Sequence, residues 1–107
     1  KKTIKTSSSH QLFLNEGGEC ENLHGHNFEI VVYCRSKTLD SNGMVVDFTL
    51  IKKLVKNKLD HRHLNDVFDF NPTSENIAKW VVDTVPLCFR AVVRESENNE
   101  ATYELED

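Results

Sequence analysis

From His24 to Arg35 the chain alternates without a break. His24, His26, Phe28, Ile30, Val32 and Cys34 fall on one face, and Asn27, Glu29, Val31, Tyr33 and Arg35 on the other. Side chains of a strand point to opposite sides with period 2, so this segment is a strand with one apolar face that a second layer must cover. No other stretch constrains the fold as tightly. Two histidines lead that apolar face, and their i, i+2 spacing projects both imidazoles to the same side.

That pair, with His10 upstream, has the composition of a zinc site. Three neutral imidazoles with no fourth protein ligand leave a coordination position open, which separates a catalytic zinc from a closed structural one. Cys20 stands four residues before His24, where it suits a nucleophile or base beside the metal better than a ligand.

Length and charge bound the alternatives. With 107 residues, 38% apolar and 28% charged, the sequence suits one domain, residues 1–107, with its own core. A net charge of −4 argues against a general nucleic-acid or membrane-surface binder, which needs clustered Lys and Arg. The longest apolar runs, such as Ile30 to Cys34, are far too short for a membrane span, and no signal-peptide pattern opens the sequence. Three cysteines without a C-x-x-C pair suit reduced thiols, and a cytoplasmic location is the expectation.

The remaining segments assign themselves by period and punctuation. Lys2 to Ser9 reads as a strand delivering His10 at its end, and Asn15 to Asn22, with Gly17-Gly18, as a loop carrying Cys20. Asp40-Ser41-Asn42-Gly43 is a turn. Asp47 then caps a helix with apolar positions Phe48, Ile51, Leu54, Val55 and Leu59, whose Lys52, Lys53, Lys56 and Lys58 form a solvated face. Asp60 to Asn71 reads as a polar connection. A second helix opens at Pro72 with Thr73 or Ser74 as cap, buries Ile77, Trp80, Val81 and Val85, and stops at Pro86. Phe89, Ala91, Val93 and Glu95 share a strand face; a hydrophilic stretch from Ser96 to Glu100 precedes a last strand with Ala101, Tyr103 and Leu105 on one side. The expected architecture is α+β in the order ββααββ, a four-stranded antiparallel sheet with two helices on one face.

Taken together, His10-Gln11-Leu12, Cys20-x-x-x-His24-Gly25-His26-Asn27, Gly43 to Phe48, Leu59-Asp60-His61-x-x-Leu64-Asn65, Pro72 to Asn76 and Glu95 resemble the 6-pyruvoyl-tetrahydropterin synthase family. Within it they are most similar to the bacterial 6-carboxy-tetrahydropterin synthase branch. The resemblance implies the tunnelling fold, in which sheets from several subunits close into a barrel, here a homohexamer. It also implies a zinc-dependent lyase acting on 7,8-dihydroneopterin triphosphate in 7-deazaguanine (queuosine) synthesis. By the same resemblance His10, His24 and His26 bind zinc, Cys20 abstracts a proton, and Asp60 with His61 forms an acid/base relay. Glu95 holds the amino-pyrimidine edge of the pterin, and Thr73 joins it in substrate binding.

The chain departs from the family in two places. Thr6-Ser7-Ser8-Ser9 replaces the aromatic and small apolar residues that commonly precede the first histidine. Glu21, directly after Cys20, gives E-x-x-H-G-H spacing, which resembles variants that release a 6-hydroxymethyl-dihydropterin for folate synthesis. A pyruvoyl product, a dual-product enzyme and a non-catalytic metal or pterin-binding module are the alternatives.

Overall fold

The computed structural model describes residues 1–13 and 24–106, with the side chain of His24 left out. The elements in chain order are β1 (Lys2–His10), β2 (His24–Cys34), α1 (Phe48–Leu59), β3 (Arg62–His63), α2 (Leu64–Val67), α3 (Ser74–Thr84), β4 (Cys88–Ser96) and β5 (Asn99–Glu104). The described strands form one sheet in the order β3-β1-β2-β4-β5. The β1/β2, β2/β4 and β4/β5 pairs are antiparallel, as the alternation requires.

The sheet is nevertheless mixed and five-stranded, not the four-stranded antiparallel sheet expected, because β3 pairs parallel with β1 at Ser8↔Arg62 and Ser9↔His63. Its cause is local. The Asp60 carboxylate accepts from the Ser7 backbone N–H at 2.9 Å, and the His61 N–H donates to the Ser7 carbonyl at 2.7 Å, so the chain leaving α1 is pinned against the edge of β1. Arg62 and His63 then take up edge pairing too short to leave a periodic signal. The segment read as a polar connection also holds a third helix, α2, a single turn that buries Leu64. The order is therefore ββαβααββ. The last hairpin is tighter than the hydrophilic stretch suggested, since β4 runs to Ser96 and β5 begins at Asn99.

Even-numbered residues of β1 and β2 turn inward. Ile4, Phe28, Ile30 and Val32 meet Ile51, Val55 and Leu59 of α1 and Ile77, Ala78 and Val81 of α3, with Ala91 and Val93 from β4. Complete burial of such a side chain contributes about 1.5–3 kcal/mol each before entropy is subtracted. Phe48, expected on the buried stripe, is exposed instead, as it lies in the first turn of α1 ahead of the packed stripe. Both long helices begin as their capping residues dictate: Asp47 accepts from the Thr49 N–H, and the Thr73 hydroxyl accepts from the Asn76 N–H.

Candidate active site

The buried face of the sheet changes character at one end. Beyond Ile4 the inward positions of β1 are Thr6, Ser8 and His10, all buried, and the Ser8 hydroxyl donates to the Leu59 carbonyl at 2.7 Å, which satisfies it away from water. The β1/β2 register sets Ser8 opposite His26 and the backbone of His10 opposite that of His24. Glu95 closes the group from the end of β4. Its Oε1 lies 3.3 Å from His10 Nε2 and 3.9 Å from His26 Nε2, and the donor atoms of the three residues fall within 4.8 Å of one another. The two imidazoles stand edge-on, 5.2 Å between centroids, and each packs edge-on against Phe28.

Hydrogen bonding fixes what His10 can offer. Its Nδ1 is 2.8 Å from the Pro72 carbonyl, and a carbonyl only accepts, so Nδ1 carries the proton and the neutral ring presents its lone pair at Nε2. That lone pair points at a carboxylate oxygen 3.3 Å away from a fully buried ring. Two acceptors this close need a proton or a metal ion between them. Ligands held ~2.1 Å from a tetrahedral zinc sit about 3.4 Å apart, close to the 3.3 Å between His10 and Glu95 and below the 3.9 Å between His26 and Glu95, so a bound ion would draw the three donors together. The Pro72 carbonyl stands where the outer partner of a metal-bound histidine would, fixing the tautomer and ring orientation of His10.

A second group gathers at the other side of β1. Asp60 caps α1, and His61 follows with φ 56°, a left-handed backbone that a residue with a side chain rarely adopts. His61 Nε2 lies 3.6 Å from Asp60 Oδ2, and its side chain is 81% exposed. The hydrogen bond from the Ser7 N–H is the largest cause holding the Asp60 carboxyl below its ordinary pKa, with His61 adding to it. His61 lines an open cleft of about 470 Å³ with Ser7, Ser9, Asn27, Arg62 and His26. His26 is thus the residue common to the cluster and to the lining of the cleft. His63 is half-buried, and its Nδ1 is hydrogen-bonded with the Ser9 hydroxyl at 3.0 Å. The serine run that departs from the family pattern therefore supplies partners to Asp60, His61 and His63.

Glu95 borders a cleft of about 560 Å³ with His26, Asn27 and Arg94. It also borders one of about 310 Å³ with Ser74 and Glu75 at the start of α3, immediately after Thr73. Cys20, Glu21 and the imidazole of His24 lie outside the described residues. The structure brings together His10, His26 and Glu95, and separately Asp60 and His61. The Pro72 carbonyl is the partner that sequence reasoning missed, and no residue pattern announces where a backbone oxygen will point.

Fold and site together define a class: a small α+β domain with a buried imidazole and carboxylate cluster of metal-binding type at the end of its sheet. The chain belongs to the 6-pyruvoyl tetrahydropterin synthase family, whose profile it matches over residues 1–106. It is 31% identical over 119 residues to the 6-carboxy-5,6,7,8-tetrahydropterin synthase of Bacillus subtilis, covering 95% of this chain and 82% of the relative. With the Synechocystis protein of the same name it shares 44% over 89 residues, 75% of this chain and 68% of that one. Among solved structures, the 6-pyruvoyl tetrahydropterin synthase of Caenorhabditis elegans superposes with a TM-score of 0.77 at 26% identity, covering 98% of this chain and 93% of that chain.

Proposed function

We propose that the protein is a zinc-dependent lyase that converts 7,8-dihydroneopterin triphosphate into 6-carboxy-5,6,7,8-tetrahydropterin, the product named for its Bacillus subtilis and Synechocystis relatives. The observation that carries this reading is the convergence of His10, His26 and Glu95 donor atoms within 4.8 Å, next to a cleft that also holds His61. His10, His24 and His26 would hold the zinc. Bound there, zinc supplies Lewis-acid polarisation of the substrate's side-chain oxygens, which acidifies the adjacent carbon.

The rest is the work of the chain. The Pro72 carbonyl keeps Nδ1 of His10 protonated, so Nε2 stays available as a donor to the ion. Cys20, a thiol near a cation, ionises more readily than a free cysteine and takes the proton. Asp60, anchored by the Ser7 N–H, orients His61 to move the second proton from the open side of the cleft. The Glu95 carboxylate accepts a pair of hydrogen bonds from the amino-pyrimidine edge of the pterin. Thr73 Oγ1 accepts from Asn76 and retains its own proton to donate to the substrate. The same reading makes the protein a cytoplasmic homohexamer in 7-deazaguanine (queuosine) synthesis.

A second reading rests on Glu21, whose E-x-x-H-G-H spacing suits a base directing the reaction to 6-hydroxymethyl-7,8-dihydropterin. Incubating the zinc-loaded protein with 7,8-dihydroneopterin triphosphate and identifying the pterin by mass spectrometry tests both. The 6-carboxy product is expected, with a loss on the order of 10²-fold in Cys20→Ala at unchanged zinc content. A hydroxymethyl product that disappears in Glu21→Ala would establish the second reading. Zinc-loaded protein that binds pterin without turnover would make it a binding module.

A further inference from the structure

At the end of the sheet remote from the cluster, Cys34 of β2 and Cys88 of β4 are ladder partners. Eight residues of extended chain separate His26 from Cys34, about 26 Å. The pair has a defined geometry. The Arg35 N–H donates to the Leu87 carbonyl at 3.1 Å, and the Cys88 N–H donates to the Val85 carbonyl at 3.2 Å. The Cys88 N–H is therefore committed to its own turn, and the register of β4 against β2 slips by one residue here, a bulge at Phe89. Opposed residues of an antiparallel pair have Cα atoms about 4.5–5.5 Å apart, and a disulfide spans Cα separations of about 4.4–6.8 Å.

Both cysteines are free thiols. The two thiols are close enough for each to perturb the other, and the Cys88 thiol donates to the Arg90 carbonyl at 3.4 Å. Cys88 is buried, whereas Cys34 lines a mainly apolar cavity of about 370 Å³ with Leu39, Met44, Val46, Phe48 and Ile51. A small neutral oxidant can reach Cys34 by that route; a bulky charged one meets an apolar wall.

We propose that Cys34 and Cys88 form a dithiol site that hydrogen peroxide closes into a disulfide joining β2 to β4. The Cys34 sulfur attacks one peroxide oxygen, the O–O bond breaks, and the departing oxygen takes a proton and leaves as water, giving a sulfenic acid at Cys34. The Cys88 sulfur then attacks the Cys34 sulfur, the S–O bond breaks, and a second water leaves. Two thiols lose two protons and two electrons, and the peroxide is reduced to two waters. Burial, the largest cause, pushes the Cys34 thiol up to about 11 and raises Cys88 as well. The pair is therefore protonated at neutral pH, and peroxide closes it slowly, because the thiolate is the nucleophile.

The test treats the folded wild-type protein with hydrogen peroxide, alkylates remaining thiols with iodoacetamide, and maps all cysteine peptides by mass spectrometry. A linked peptide joining Cys34 to Cys88, two hydrogens lighter than its parts and reversed by dithiothreitol, is expected. The thermal midpoint should rise by ~5 °C or more, because the bond closes a long loop. In Cys34→Ser, a half-buried position that tolerates a hydroxyl, both effects should vanish. Recovery of both cysteines as alkylated thiols, sulfinic acid at Cys34 without a link, or the same midpoint rise in Cys34→Ser would overturn the proposal.

Discussion

His10 carries more of the molecule than any other side chain. Its ring is fully buried, its Nδ1 is committed to the Pro72 carbonyl, and its Nε2 faces Glu95. A half-buried carboxylate beside that fully buried ring is stabilised by a positive charge between them. Glu95→Gln removes the negative charge while keeping the shape. It should therefore weaken zinc retention in a chelator competition by about 10-fold, the lower end of the range for residues supporting a metal ligand. Unchanged retention would restrict Glu95 to the pterin. Asp60 yields a prediction about pH. Its carboxyl is held below the ordinary value, first by the Ser7 N–H, so its contribution to stability is fully present above about pH 4 and is lost as pH falls through the lowered value. Urea midpoints of Asp60→Asn should lie below wild type at pH 6 and converge on it towards pH 2. A constant gap across that range would mean the carboxyl charge is not what matters.

The elements differ in how much local sequence decides them. Leu59 is buried at the last turn of α1, so Leu59→Ala should cost about 3 kcal/mol in chemical denaturation. Phe48→Ala in the exposed first turn should stay within about 0.5 kcal/mol. Equal losses at the two positions would contradict the packing described. These contrasts show what was legible. The alternation of β2, the cap at Asp47, the start of α3 at Ser74 and the ends of the long elements were readable because period and capping chemistry act within a few residues. β3 was not, since a two-residue parallel pairing depends on where Asp60 and His61 meet Ser7, more than fifty positions away in sequence. The exposure of Phe48 followed the same logic: periodicity marks a stripe but not where the covering layer ends. At the site, the inward placing of His26 was readable from the face pattern of its strand, while its approach to His10 was not. The approach of Glu95 depended on cross-strand register, which no single segment encodes.

At the scale of the whole molecule, the sheet has edges to protect. Among the described residues β3 covers β1 only at Ser8 and Ser9, leaving most of its outer edge unpaired, and β5 forms the other edge. Unpaired edges invite pairing with further copies of the chain. Light scattering should give six times the 12.3 kDa protomer mass, and a 12.3 kDa species at micromolar concentration would refute closure into a barrel. No helix among the described residues is long and apolar enough to cross a membrane.

The central claim is that the end of this sheet is a metal centre, and metal analysis of purified wild type beside His26→Ala tests it most directly. His26 shares the cluster with His10 and Glu95, so wild type should carry one equivalent of zinc per chain and the variant should lose most of it while keeping its circular dichroism spectrum. A full zinc equivalent in folded His26→Ala, or none in wild type refolded with excess zinc, would contradict the account.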